Sequence, residues 1–226
     1  MRIVLKVGGF AFSTEGGSEP LICEYVKLLQ QLVEKYQFVI VTGGGSIARG
    51  YIQIARSMRV PESLCDQIGI LVSRINARLV VDGLHDKAYP EVPISVTDLS
   101  RFFASGKLVA MGGLQPGHST NAVAAIAAET VKADLFVNAT NVNGVYTSDP
   151  SKDPRAKHLD EVHVSRLMQM LADSEMTAGG YDLMDPIALR IIQRSRIPTV
   201  IIDGQNLANV TKALHGEKTG TRILLD

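Results

Sequence analysis

The 226-residue sequence contains no tryptophan, and phenylalanine and tyrosine bring its aromatic share to only 5%. Its core must therefore be aliphatic, made mostly of Val, Ile, Leu and Ala. Cysteine is also scarce: Cys23 and Cys65 stand far apart, in no metal-like or redox-like spacing. Two reduced, mostly buried thiols are the expectation. No charge of one sign is in excess, since Lys plus Arg and Asp plus Glu both number 23. A general nucleic-acid or membrane-surface binder normally carries a basic surplus, so neither partner is expected; a local basic pocket for a small anion is not excluded. No apolar run exceeds strand length, which argues against a transmembrane helix. The chain enters its first strand without a leader pattern, so a cytoplasmic location is expected.

What the sequence does have is length and an ample supply of apolar residues. Hydrophobic residues make up 46% and charged residues 20%, enough for one α/β domain or two lobes sharing a sheet. Short apolar runs alternate with longer amphipathic stretches, the pattern of βα units around a mainly parallel sheet. Strands are predicted at residues 3–7, 38–42, 108–111, 134–139, 199–203 and 221–225, with a short extended segment at Val145 and Tyr146. Helices are predicted at 19–36, 46–57, 62–84, 121–133, 164–171, 185–195 and 207–215, and a loop at 178–184. No linker or internal repeat divides the chain. The expected fold is α/β, a three-layer αβα sandwich with a mainly parallel central sheet, forming one domain over residues 1–226.

Three predicted strands end in consecutive glycines: Gly8-Gly9, Gly43-Gly44-Gly45 and Gly112-Gly113. One such junction is ordinary turn chemistry. Three at the carboxyl ends of strands in one parallel sheet converge on a single crevice, where backbone N–H groups and helix starts favour phosphate. Neither a P-loop nor a dinucleotide fingerprint is present, because no Gly-Lys-Ser/Thr follows and Gly43 to Gly50 does not read G-x-G-x-x-G.

Lys6 stands inside an apolar strand, either facing outward at an edge or placed as a cation over a transferred phosphate. Arg49, four residues past the triple glycine, is either a solvated helix residue or a phosphate ligand. Asp66, in the early turns of a long helix, suits the helix dipole or the two hydroxyls of a ribose. Ser119 and Thr120 read as a helix N-cap or as part of a loop enclosing a nucleoside. The stretch from Asn138 through Thr140, Asn141, Asn143, Gly144 and Tyr146 to Asp149 and Pro150 has turn signals, yet its amides and hydroxyls would also hold a purine. His118 and His158 lack any i, i+4 partner, so neither a metal site nor a histidine nucleophile is expected.

Lys6-Val7-Gly8-Gly9, the triple glycine with Arg49, the loop 112–120, the run from Thr140 to Pro150 and Met184-Asp185-Pro186 occur in that order. Together they resemble the amino-acid-kinase fold and, within it, the uridylate kinases of the short archaeal type. The resemblance covers essentially the whole chain. It implies transfer of the γ-phosphoryl group of ATP to UMP, giving UDP and ADP with Mg²⁺ carried on ATP, by a homohexamer built as a trimer of dimers. It implies catalytic roles for Lys6 and Asp185, and ATP contacts from Lys6, Gly8, Gly9, Gly45, Arg49, Thr140, Asn141, Tyr146 and Asp149. UMP contacts would come from Gly44, Asp66, Leu114, Gln115, Pro116, Gly117, His118, Ser119 and Thr120. An acceptor lobe over about residues 1–133, which also makes the oligomer contacts, and an ATP lobe over about 134–226 follow from the same resemblance. One position departs: Asn121 stands where the family commonly has an aspartate. The competing readings are a kinase of the same fold acting on isopentenyl phosphate, carbamate or an amino acid, and a non-catalytic nucleotide-binding or storage protein.

Overall fold

The first apolar run and its successors form strands, and the amphipathic stretches between them form the helices that cover both faces of a sheet. The computed structural model describes residues 1–14, 19–150, 152–173 and 183–226. In chain order the first half comprises β1 (Arg2–Val7), α1 (Leu21–Leu32), β2 (Gln37–Thr42), α2 (Gly45–Ser57), α3 (Glu62–Leu84), α4 (Val96–Phe103), β3 (Val109–Met111) and α5 (Thr120–Val131). The second half comprises β4 (Leu135–Thr140), β5 (Val145–Tyr146), β6 (His158–Leu159), β7 (Glu161–His163), α6 (Val164–Asp173), α7 (Pro186–Arg194), β8 (Thr199–Asp203), α8 (Ala208–Leu214) and β9 (Thr221–Leu224).

Among the described residues, seven strands make one sheet in the order β3-β2-β1-β4-β8-β9-β7, and β5 and β6 form a separate hairpin. The first five strands are parallel. β9 runs antiparallel to β8 and pairs in parallel with β7. From β1 the chain steps outward to β2 and β3, then returns to lay β4 on the other flank of β1. The strand order thus reverses at β1, where an open α/β sheet has its ligand crevice at the carboxyl ends.

Alternation along the strands sends Ile3, Leu5 and Val7 to one face with α1, α3 and α8, and Val4 to the other with α4, α5, α6 and α7. The result is the expected αβα sandwich, and the core is aliphatic apart from a few rings such as Tyr25, Phe38, Phe102 and Phe136. The alanines of α5 are buried around most of its circumference, which lets that helix lie close against the centre of the sheet. α2 does not touch the sheet core in the same way but packs along α3.

Several boundaries differ from expectation by a residue or two, as helix ends fray, and α1, expected to reach residue 36, ends at Leu32 in a turn over 33–35, while α3 and β8 agree at both ends. Helix α4 and the short strands β6 and β7 are additions that the sequence reading does not contain. The predicted loop at 178–184 lies outside the described residues up to residue 182. Among the described residues no helix is long and apolar enough to cross a membrane.

Candidate active site

The glycine ends of β1 and β2 meet each other. A Cβ placed on Gly9 would overlap the Gly45 nitrogen, and one on Gly45 would lie 2.5 Å from the Gly9 oxygen. Gly45 also adopts φ +67°, a left-handed conformation suited to glycine. The Gly8 N–H donates to the Ala139 carbonyl at 3.0 Å and the Gly43 N–H to the Val7 carbonyl at 3.0 Å. The two loops therefore continue the hydrogen-bonding of β4, β1 and β2 past the strand ends, forming one backbone surface at the switch point.

Lys6 lies in β1, flanked by β2 and β4, and is only 8% exposed. The edge-strand explanation of this lysine is thus excluded. Its register partner on β4 is Asn138, so both side chains project from the same face, toward α5 and α7. Asn138 is fully buried; its amide donates to the Leu183 carbonyl at 2.7 Å, while its Oδ1 has no hydrogen-bond partner. The Oδ1 of buried Asn121, at the start of α5, is likewise unpartnered. Buried amide oxygens are rarely left unsatisfied, and two on the α5 side of the sheet mark polar capacity there that the chain itself does not use.

Helices α5 and α7 begin side by side with linked caps. Ser119 caps α5, its Oγ accepting from the backbone N–H groups of Asn121 and Ala122 at 3.0 and 3.1 Å. Asp185 caps α7, its Oδ1 accepting from Ile187 and Ala188 at 2.9 and 3.0 Å. The Ser119 hydroxyl then donates to Asp185 Oδ2 at 2.5 Å. Each of these side-chain oxygens has a partner, and together the two residues hold the helix starts in register. At the far ends of the same helices, Glu129 accepts from Arg194 at 2.8 Å and from the Ser195 hydroxyl. Those donors, Arg194 first, hold the Glu129 carboxyl below its ordinary pKa.

The loop after β3 lies along α3. Asp66, exposed in the second turn of that helix, accepts the Gly117 N–H at 2.9 Å. Ser73 Oγ accepts the Gly113 N–H at 2.8 Å, and Arg74 donates to the carbonyls of Gly113 and Leu114 at 3.0 and 3.2 Å. Partial burial lowers the Arg74 guanidinium from its ordinary pKa. One turn on, Asn76 donates to the Gly43 carbonyl at 2.7 Å, and Thr42 donates to the Ser73 carbonyl at 2.7 Å. Farther along the loop, Gln115 and His118 meet through side-chain nitrogens at 3.2 Å. Gln115, Pro116 and Gly117 face solvent, while Leu114 and Thr120 are half-buried. Gly44 abuts α2 so closely that a Cβ there would fall 2.5 Å from that of Ala48. Arg49 is exposed in the first turns of α2.

Beyond β4 the picture is mixed. The Thr140 hydroxyl is spent on its own turn, donating to the Val142 carbonyl at 2.8 Å and accepting from the Val142 N–H at 3.1 Å. Asn141 is exposed, and its carbonyl accepts from the Gln205 side chain at 3.2 Å. Tyr146 sits on the β5–β6 hairpin against His158, ring centroids 5.2 Å apart and nearly perpendicular. Asp149 closes the following turn through its carbonyl, which accepts the Lys152 N–H at 3.0 Å. Below, buried Tyr25 donates to the Gly204 carbonyl at 2.7 Å. Burial, with the Asp203 charge adding to it, pushes the Tyr25 phenol above its ordinary pKa.

The structure thus brings Lys6, Gly8, Gly9, Gly43 to Gly45 and the β4 end to one crevice, and joins Asp66 to Gly117 and Ser119 to Asp185. Ser73, Arg74 and Asn76 are not singled out by the sequence. The available signal is a set of polar residues on turns of α3 whose neighbours are apolar and buried.

This arrangement of glycine loops around a buried lysine at the switch point of a mostly parallel sheet defines a phosphate-handling α/β protein. Residues 1–203 match the amino acid kinase family, and the chain belongs to that family. It is 45% identical over 223 residues to a uridylate kinase of Methanocella arvoryzae, covering 99% of both chains. It is 42% identical over 224 residues to a uridylate kinase of Methanothermobacter thermautotrophicus, again covering 99% of each. The crystal structure of uridylate kinase from Archaeoglobus fulgidus superposes with a TM-score of 0.88 at 38% identity, covering 99% of this chain and 100% of that one.

Proposed function

We propose that this protein is a UMP kinase, transferring the γ-phosphoryl group of ATP to UMP with release of UDP and ADP. Full-length similarity to uridylate kinases supports the substrate pair. The observation that carries the chemistry is Lys6, a cation 8% exposed in the central strand, at the point where two glycine loops touch. A phosphate oxygen of UMP attacks the γ-phosphorus, and the bond from that phosphorus to the β,γ-bridging oxygen breaks. Negative charge spreads over the transferred group and the leaving ADP, so positioning and charge neutralisation are what the protein must supply.

In this reading Lys6 neutralises the transferring group. Gly8, Gly9, Gly45 and Arg49 receive the ATP phosphates, and Thr140, Asn141, Tyr146 and Asp149 receive the adenosine. Because the Thr140 hydroxyl is committed to its turn, its part is to shape the β4 end. Gly44, Asp66 and residues 114–120 hold UMP, with Asp66 already occupied on one oxygen by Gly117. Ser119 and Asp185 keep the α5 and α7 starts, and their favourable dipoles, aimed at the phosphates.

The residues present fit a magnesium ion that arrives on the nucleotide. Among the described residues no group of three or more carboxylates, histidines or cysteines is gathered to cage a metal. The unpartnered oxygens of Asn121 and Asn138 are hard donors of the kind magnesium accepts alongside phosphate. When bound, the ion supplies further neutralisation of the phosphoryl oxygens.

The acceptor lobe is assigned to about residues 1–133 and the ATP lobe to about 134–226, with the cytoplasm as the working compartment. A homohexamer, arranged as a trimer of dimers, is the proposed assembly. Its support is an apolar stripe on neighbouring helices, with Tyr51 and Ile54 on α2, Met58 just past its end, and Leu71, Ile75 and Leu79 on α3, all more than half exposed. Such a stripe marks an association surface. The substrate assignment is tested by ADP release coupled across UMP, CMP, dUMP and isopentenyl phosphate. UMP is expected to give the highest kcat/KM, and preference for isopentenyl phosphate would overturn the assignment.

A further inference from the structure

We propose that Ser73 and Arg74 are positioning residues that mould the loop after β3 into the shape that receives UMP. Both lie on α3, and neither belongs to the set of substrate contacts assigned above. Gly113 is held at both of its polar atoms, its N–H by Ser73 Oγ at 2.8 Å and its carbonyl by Arg74 Nε at 3.0 Å. A second guanidinium nitrogen of Arg74 reaches the next carbonyl, that of Leu114, at 3.2 Å. A rigid planar fork on two successive carbonyls fixes the orientation of the peptide between them, which a flexible ammonium would not do. Ser73 is fixed in turn, because its hydroxyl donates to the Ile70 carbonyl at 2.7 Å.

The backbone of the loop lies directly on the helix. A Cβ on Gly112 would sit 2.6 Å from the Arg74 nitrogen, and one on Gly113 would sit 2.8 Å from Ile70 Cγ1. Asp66 extends the same contact line by holding Gly117, and residues 66, 70, 73 and 74 recur at the spacing of one helix face. Arg74 forms no salt bridge with any described residue. Its donors serve loop carbonyls instead.

The need for such a clamp follows from the loop's composition. Gly112, Gly113 and Gly117 give it more backbone freedom than other residues would, and Gly117 sits at φ +78°. Holding the loop before the acceptor arrives removes an ordering cost from binding. The consequence belongs to acceptor affinity, and the γ-phosphoryl end of the crevice is untouched.

This inference rests on the UMP kinase reading, so its test has one arm that does not. Steady-state kinetics of Arg74→Met, Arg74→Lys and Ser73→Ala are combined with amide hydrogen exchange on the ligand-free proteins. Arg74→Met is expected to raise KM for UMP roughly ten- to a hundredfold, with kcat at saturating UMP within about threefold of the parent and KM for ATP unchanged. Arg74→Lys falls between, because it keeps the charge but not the fork. Ser73→Ala speeds exchange at Gly113, and Arg74→Met speeds it along residues 113–118. An unchanged KM for UMP in a folded variant, or an equal rise for ATP, overturns the proposal. Should Arg74→Met not fold, Arg74→Lys and Ser73→Ala decide by the same criteria. Should the parent protein fail to phosphorylate UMP, the substrate reading falls on its own, while unaltered exchange in the variants would still overturn the clamp.

Discussion

The shared cap between α5 and α7 makes a stability prediction that can be worked out bond by bond. Replacing Asp185 by alanine removes the acceptor of two backbone N–H groups at the start of α7 and of the Ser119 hydroxyl. Loss of an N-cap costs about 1–2 kcal/mol, and loss of a hydrogen bond to a charged group about 1.5–3 kcal/mol. Asp185→Ala should therefore destabilise by about 3 kcal/mol, lowering Tm by roughly 6–12 °C in a domain of this size. Asp185→Asn keeps an oxygen for the cap, but its amide does not accept the Ser119 hydroxyl, so only the shared bond is lost. Ser119→Ala removes that bond together with the α5 cap. The double variant should then cost less than the sum of its singles by about 1.5 kcal/mol, the coupling carried by the 2.5 Å contact. Urea unfolding at constant m measures each term. An interaction energy under about 0.5 kcal/mol would refute the picture of two helix starts sharing one carboxylate.

Lys6→Ala should lower kcat by two or more orders of magnitude, on the order of the loss of a transition-state charge contact, while ATP binding measured by calorimetry largely survives; near-parental turnover would sink the assigned mechanism. Glu129 offers a pH test. Its carboxyl is held below the ordinary value of 4.5, first by Arg194 and then by Ser195, so its contribution is present above about pH 4.5 and fades as pH falls through the lowered value. With the carboxylate partly exposed and screened, Glu129→Gln should cost only about 0.5 kcal/mol at pH 7 and progressively less as pH falls below about 4.5; a gap that stays constant or grows on acidification would contradict the pairing.

Much of the frame is legible in the sequence. β1, β2, β4 and β8 announce themselves as apolar runs, and α3 is bounded by Pro61 and by the end of its apolar pattern at Leu84. Helix α4 has a readable start, since Ser95 Oγ accepts the Asp98 N–H at 3.0 Å, the serine-to-acid spacing of a cap, ahead of buried Leu99, Phe102 and Phe103. β6 and β7 span two and three residues, too short for a period to show, and exist because β5 and β9 pair with them. In the site, the glycine ends of strands and Lys6 are visible as types in a pattern. Their mutual contact is not, because proximity of Gly9 to Gly45 depends on sheet order. The same holds for Asp66 with Gly117, 51 residues apart, and for Ser119 with Asp185, 66 apart. Of the two readings Ser119 carries in the sequence, the cap is visible in the structure. Arg74 fits no motif, and only its carbonyl partners reveal its use.

The contact between Gly9 and Gly45 leaves no room for even a methyl group at either position. A change at one cannot be offset by shrinking the other, since both are already the smallest residue. The junction of the β1 and β2 loops is thereby closed to gradual sequence drift. The loop along α3 is held by side chains, which mutate one at a time and by degrees. Sequence change on this scaffold would therefore proceed more readily along the α3 side, with Gly9 and Gly45 inherited unchanged.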